Sequence, residues 1–510
     1  MGQAPSEVPG TWKLHVPANL WYAATFRRVG SVKHEETPAS LRSSQPGDTV
    51  RPDQAGAAST WWILVAVGVG TFMSALDGSV VNITLPVIQL ALGTEVATIE
   101  WVIIIYLLVV SGLLLSVGRL GDMRGHKWVY IAGFAGFGVG SALCGLAPFV
   151  AALIGFRGLQ AVGAAMLFAN GPAILTKNFP AHRRGQVLGL QATMTYLGLT
   201  VGPSLGGWVT SQFGWRAIFY INVPVAVLAV LLSVRFIPAD PPAEHVERFD
   251  LKGAATFCCG LVALLLGLNQ GNEWGWTSPG VGGAFGSALV LLAAFVVIER
   301  RVLAPMLDLS LFRKRLFSAA TTSALLNYIC LYSVLFLLPF YLIDGRGFDS
   351  AYAGLLLTAQ PIIMAIAAPL SGTLSDRIGS RLPGTLGMLL MGAGLFLLSR
   401  IGPESPAAQI MLGLAVVGLG TGTFISPNTS ALMGAAPCHR QGVASGVLAT
   451  ARNVGMVLGV GLAGAVFTTA LAGHADPGST AALFGAVQAG LLMASGVALL
   501  GAAVSAVRGS

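Results

Sequence analysis

Asp77 stands inside a long apolar run, Ala75-Leu-Asp77-Gly-Ser-Val-Val-Asn82-Ile-Thr-Leu-Pro86, and is the only acid between Asp53 and Glu95. A carboxylate at such depth is costly unless it is paired, hydrated or protonated, so the position suits a group that takes up and releases a proton. The plainer alternative is an aspartate that faces a wet vestibule and only packs its helix. Arg157, in Phe156-Arg157-Gly-Leu-Gln160, is the matching exception in another apolar run. A guanidinium keeps its proton and must find a partner where it sits, and Gln160, three residues on, shares its helical face. Arg157 facing Asp77 would tie protonation to the relative position of two helices. Snorkelling to the interface is its bland alternative, and Arg452 is a weaker version of the same case.

Other residues carry shape. In Gly198-Leu-Thr-Val-Gly202-Pro203-Ser-Leu-Gly206-Gly207, small residues four apart let a neighbouring backbone approach, and Pro203 removes a helical hydrogen bond and favours a kink. Generic close packing would explain the glycines equally well. Two loops repeat at an offset of 254: Gly118-Arg-Leu-Gly-Asp122-Met-Arg-Gly125-His-Lys127 and Gly372-Thr-Leu-Ser-Asp376-Arg-Ile-Gly379-Ser-Arg381. Gln191-Ala-Thr193 with Gly198, Gly202 and Gly207 recurs as Leu448-Ala-Thr450 with Gly455, Gly459 and Gly464, offset by 257. Asp122 and Asp376 have no general-base context, but each suits the positive end of a helix in the other repeat. For Asp122 that helix begins Arg440-Gln441-Gly442, and for Asp376 it begins Arg184-Gly185-Gln186. Such contacts would latch one side shut; a solvated turn is the alternative. Polar groups inside apolar runs (Asn82, Gln160, Gln191, Tyr196, Asn327, Gln360 and Asn428) are the candidates for a cavity lining, and tyrosine faces suit a hydrophobic cation.

The elements that hold these residues follow from composition. Of 510 residues, 54% are hydrophobic and 10% charged, and mean hydropathy is +0.75. A soluble domain carries about 25% charged residues, so a water-facing globule, a disordered chain and a nucleic-acid binder are excluded despite the net charge of +8. The chain reads as an all-α integral membrane protein. Five cysteines without C-x-x-C spacing and seven scattered histidines offer no metal site, and no cofactor is implied. There is neither a phosphate-binding loop nor a nucleophile–base pair, so neither an ATP-driven pump nor an enzyme is expected.

From Trp61 onward, apolar runs near the length that crosses hydrocarbon recur at 61–86, 101–119, 128–147, 150–174, 186–209, 217–236, 253–270, 282–299, 317–342, 351–372, 384–400, 407–432, 441–470 and 482–506. Placing the N-terminus and every even-to-odd connection on one side gives that side 24 of the 29 Lys and Arg. The positive-inside rule makes it the cytoplasmic side, with both termini there. Residues 1–60 read as a disordered cytoplasmic tail without a signal peptide. Then follow a six-helix half (61–236), two inserted helices with their linkers (237–316) and a second six-helix half (317–510). A parallel repeat about a central site describes alternating access.

These motifs resemble the major facilitator superfamily, and within it the fourteen-helix drug:proton antiporters, over roughly residues 60–505. Gly118–Lys127 is similar to the loop signature G-x-L-x-D-R-x-G-R-K, with Met123 and His126 in place of two basic residues. Asp77–Pro86 is similar to the span 1 motif, whose acid is implicated in proton coupling. Arg157 and Gly163 match the span 4 arginine motif, Gly198–Gly207 the antiporter motif of span 5, and Trp215–Pro224 and Arg301 to Phe317 also read like the family. The resemblance implies a major facilitator fold of two six-helix halves plus two inserted helices. It implies proton-driven export of hydrophobic, often cationic compounds from a bacterial cytoplasmic membrane by a monomer whose partners are substrate, protons and lipid. Asp77 would carry the proton and compete with a cationic substrate, Arg157 would modulate it, and Gly118, Asp122, Gly125, Arg184, Gly198, Gly202, Pro203, Gly206, Gly207 and Asp376 would gate. A dedicated exporter of one metabolite or antibiotic, or a lipid-translocating relative, is the alternative.

Overall fold

The computed structural model describes residues 57–240, 249–275, 277–302, 305–348, 350–473 and 479–507. The tail expected over residues 1–60 lies outside them as far as residue 56; residues 57–60 open the first helix. Helices follow as α1 (Ala57–Leu92), α2 (Val96–Arg124), α3 (His126–Leu146), α4 (Val150–Asn178), α5 (Arg184–Phe213), α6 (Ala217–Tyr220), α7 (Asn222–Phe236), α8 (Leu251–Trp274) and α9 (Pro279–Glu299). They continue as α10 (Arg315–Pro339), α11 (Ser350–Leu357), α12 (Ala359–Ile378), α13 (Arg381–Leu398), α14 (Ala407–Ala435), α15 (Gln441–Ala472) and α16 (Thr480–Ala506). No strand occurs among the described residues. The pairs α6–α7 and α11–α12 each make one broken span, so fourteen spans result among the described residues.

Thirteen of these spans are long and apolar enough to cross a membrane by composition. The fourteenth is α5, a 30-residue helix whose Gly, Thr, Ser and Gln lower its hydropathy. Those residues are there for packing and for the cavity described below. Several helices run past the apolar segments read from sequence, because hydropathy marks the hydrocarbon layer while a helix continues into the interface. Large apolar side chains such as Leu231, Leu289, Val290, Leu370 and Leu412 stand exposed around the outside. Water would not tolerate so continuous an apolar surface; lipid does.

Helix pairing repeats between the halves. In the first half α3 packs on α4, α2 on α4 and α1 on α5; in the second, α13 packs on α14, α12 on α14 and α10 on α15. The halves meet mainly where α5 packs on α12 and α2 on α15, two contacts related by the repeat. The inserted pair α8 and α9 pack on each other, with α8 against α2 and α15.

Gly125 and Gly379 end α2 and α12 with φ of 92° and 84°. That backbone region strains any residue with a Cβ, which is why both loops carry glycine at that place.

Candidate functional site

Asp77 and Arg157 meet. Arg157 Nη1 donates to Asp77 Oδ2 at 2.7 Å, with the two residues 1% and 3% exposed. The other carboxylate oxygen accepts from Gln160 Nε2 at 3.0 Å and from Asn222 Nδ2 at 2.9 Å. Both amides also donate to Ser141 Oγ, which in turn donates to the carbonyl of Phe219. Arg157 further donates to Gln160 Oε1 at 2.7 Å and to the Val102 carbonyl at 3.3 Å, and lies over the Tyr106 ring at 4.3 Å. One buried polar knot thus ties α1, α3, α4 and α7, with Tyr106 of α2 against it. Asn222 was missed from sequence. Its signal is the break between α6 and α7 at Ile221, where Pro224 supplies no N–H to the Tyr220 carbonyl.

The glycines of α5 set the depth of this knot, because they let α5 lie against α1. A Cβ on Gly198 would meet the Phe72 carbonyl at 2.7 Å, one on Gly202 would meet Ser79 Cβ at 2.6 Å, and one on Gly206 would meet Val80 Cγ1 at 2.8 Å. Gly207 is different: nothing lies within 4 Å of its Cβ position, so close approach does not require it. Pro203 leaves the carbonyl of Leu199 without its helical donor, and Ser79 Oγ donates to that oxygen at 3.1 Å. The same substitution of donors recurs at three more prolines. Ser445 Oγ reaches the Phe168 carbonyl freed by Pro172 at 3.5 Å. Thr193 Oγ1 reaches the Ala365 carbonyl freed by Pro369 at 2.8 Å, and Ser371 Oγ reaches the Thr423 carbonyl freed by Pro427 at 2.6 Å. Two of the four, from Ser445 and Thr193, cross between the halves.

Both loop aspartates lie where the repeat places them. Asp122 accepts from the backbone N–H of Gly442 at 2.8 Å and of Val443 at 2.9 Å, at the start of α15. Asp376 accepts from Gly185 at 2.8 Å and Gln186 at 2.9 Å, at the start of α5. Arg184 contributes its place at the head of α5, while the backbone of the next two residues takes the carboxylate. Gly118 lies against the Gly442 backbone and Gly372 against that of Gly185, so no side chain separates the halves here. His126, beside Asp122 at 3.3 Å, turns its other ring nitrogen to Asn170 Oδ1 at 2.7 Å. The hydrogen bonds described between the halves all lie from this basic end to mid-bundle, where Asn453 donates to Ser111. The basic end is closed.

A cavity of about 110 Å³ lies between the halves, lined by α1, α4 and α5 on one side and α10, α14 and α15 on the other. Gln191, Tyr196 and Asn428 line it. Gln160 belongs instead to the Asp77 knot. Asn327 is buried against Met388 and Met391 of α13, Gln360 is buried where Gly418 of α14 meets its backbone, and Asn82 is exposed; none of the three lines the cavity. Polar groups in spans also serve to join helices, so depth alone does not assign them to a cavity. Arg452 does line it, together with Phe168 and Tyr328. Asp77 and Arg157 do not, which removes direct competition between a substrate there and the Asp77 carboxylate. Asp77 faces a separate void of about 10 Å³, lined also by Gly206, Val209, Ile218 and Asn222.

A family model described as Major Facilitator Superfamily matches residues 67–460. The riboflavin transporter RibZ of Clostridioides difficile (strain 630) is 34% identical over 411 residues, which are 81% of this chain and 89% of that protein. The multidrug resistance protein Stp of Mycobacterium tuberculosis is 33% identical over 415 residues, covering 81% of this chain and 77% of its own length. Among solved structures, the human organic anion transporter MFSD10 (TETRAN) shares the fold with a TM-score of 0.64 at 17% identity, over 88% of this chain and 99% of that one. With this family match and these relatives, the chain belongs to the major facilitator superfamily, beside its drug-efflux proteins, and is a transporter rather than an enzyme.

Proposed function

We propose that this transporter exports hydrophobic small molecules across a bacterial cytoplasmic membrane in exchange for protons, with the basic end facing the cytoplasm and one chain sufficing. The observation that carries the reading is the Asp77–Arg157 pair, fully buried in one half and off the central cavity. As an ion pair it is neutral overall. A proton added to Asp77 leaves the Arg157 guanidinium buried without a counter-charge, a state that costs several kcal/mol unless the helices move. The mover is α4, which carries Arg157, the Phe168 carbonyl bonded to Ser445 of α15, and Asn170 beside the Asp122 latch. Protonation in one half thus reaches the joint between halves through one rigid helix.

The void beside Asp77 is about the size of one water and lies toward the end opposite the basic loops. In the state with the basic end closed, this position supports proton entry from the outer side. A potential of 100 mV supplies about 2.3 kcal/mol per charge moved, and the chemical gradient adds to it. The two relatives named above, one a riboflavin transporter and one a multidrug resistance protein, support narrow and broad substrate ranges alike.

The test is proton flux from proteoliposomes under an imposed pH gradient, with a panel of hydrophobic compounds added to wild type and to Asp77→Asn. Substrate-triggered flux in wild type that disappears in Asp77→Asn, with substrate binding retained, is the expected result. Unchanged flux in the variant would move the proton site away from α1. No flux in wild type with any compound would overturn antiport of hydrophobic compounds as the activity.

A further inference from the structure

Two arginines lie inside the spans, and they are provided for differently. Arg157 has Asp77. Arg452, on α15, forms no ion pair with a carboxylate among the described residues, and its buried Nε has no hydrogen-bond partner there. Its guanidinium lies over the Phe168 ring at 4.8 Å and reaches the Tyr328 hydroxyl. It is the only charged side chain lining the central cavity among the described residues, and no Asp or Glu lines that cavity. The corresponding residue of α5 by the internal repeat is Thr195, which lines the same cavity without charge.

We propose that this cavity takes planar aromatic compounds bearing a negative charge, with Arg452 as the group that holds the anion. The proposal rests on the cavity being the transport site. A guanidinium at membrane depth is stabilised by a counter-charge; no described carboxylate pairs with Arg452, and an anionic ligand supplies one. Phe168, Tyr196, Tyr328 and Phe424 line it with aromatic rings against which a flat ligand can pack. The Tyr196 and Tyr328 hydroxyls stand within electrostatic reach of Arg452 and can donate to the same anion. A cation against those rings would share a space of about 110 Å³ with Arg452, and like-charge repulsion at that range opposes what a ring returns. Asp77, the acid expected to compete with a cationic substrate, does not line the cavity. The void is smaller than the roughly 300 Å³ of a pocket for a drug-sized ligand, so the halves part somewhat as the ligand enters.

Equilibrium binding by the detergent-solubilised full chain tests this with three probes of one shape: 2-naphthoate, 2-naphthamide and (2-naphthylmethyl)ammonium, each corrected against empty micelles. The expected order in wild type is carboxylate tightest and ammonium weakest. Arg452→Gln should weaken the carboxylate roughly tenfold or more while moving the amide little, and Arg452→Lys should recover part of the loss. A wild-type order with the ammonium tightest, no binding of the carboxylate, or a carboxylate affinity indifferent to Arg452→Gln would each overturn the proposal. The wild-type order decides the question even if a variant does not fold. Carboxylate binding without proton flux would sink the antiport reading and leave this one standing; flux driven by the ammonium alone would do the reverse.

Discussion

At the scale of single residues, the Asp77–Arg157 pair is held by more than its own attraction. Each carboxylate oxygen has an assigned donor, and the donors are themselves held by Ser141 and by each other. Burying two charges is repaid only when the remaining hydrogen-bonding capacity is filled, and here it largely is. Breaking such a pair from one side costs about 3–5 kcal/mol, whereas replacing both members is far milder. Arg157→Met should therefore lower the thermal midpoint of the purified protein sharply, and adding Asp77→Asn should restore most of the loss. Strictly additive losses would mean that the two residues do not stabilise one another. Asp77 and Arg157 were legible in the sequence as charges set in apolar runs; that they meet is what the structure adds. Asn222 and Ser141 were not legible, since a polar residue near a helix end has many ordinary uses.

At the scale of helices, four prolines expose carbonyls and four hydroxyls from neighbouring helices cover them. A carbonyl freed by proline inside the membrane needs another donor, and at these four prolines a hydroxyl on a partner helix supplies it. Ser79 and Ser371 act within one half, while Ser445 and Thr193 act across the joint and can bond only while the basic end is shut. Hydrogen bonds between membrane helices average about 0.6 kcal/mol, so losing one across the joint shifts a two-state balance about threefold. Ser445→Ala and Thr193→Ala should each enrich the state open at the basic end, with Ser79→Ala and Ser371→Ala as controls that do not. Equal shifts of the distance distribution across that end in all four variants would mean that these bonds only stabilise helices. Pro203 stands out in the sequence through its glycine neighbours, but a partner hydroxyl on another helix leaves no local pattern. For the same reason Gln160, Asn327 and Gln360 looked like cavity residues and proved to join helices.

At the scale of the whole molecule, the repeated loops do one thing twice. Asp122 and Asp376 each seat on the first N–H groups of the α15 and α5 helices of the opposite half, where the helix dipole favours a carboxylate. The seat is possible because Gly118 and Gly442, and likewise Gly185 and Gly372, bring backbone against backbone. This much the sequence made readable, because a motif repeated in register with the halves carries long-range information that a single helix lacks. The atoms nearest a Cβ at Gly118 or Gly185 belong to the other half, so a methyl group at either obstructs closure first. Backbone cannot yield as a side chain does, so the obstruction cannot be relieved cheaply. Gly118→Ala and Gly185→Ala should therefore lengthen the distance across the basic end and slow transport about tenfold or more, an increment of about 1.4 kcal/mol. Thermal stability should change little. Gly207→Ala, whose new methyl meets nothing within 4 Å, should behave as wild type although it belongs to the α5 glycine motif. If the alanine variants at 118 and 185 close and transport normally, backbone contact at the loops is incidental, and the latch must reside in the aspartates alone. If Gly207→Ala is as damaging as they are, α5 must move during transport to where position 207 is crowded, and the two states differ by more than a rocking of intact halves.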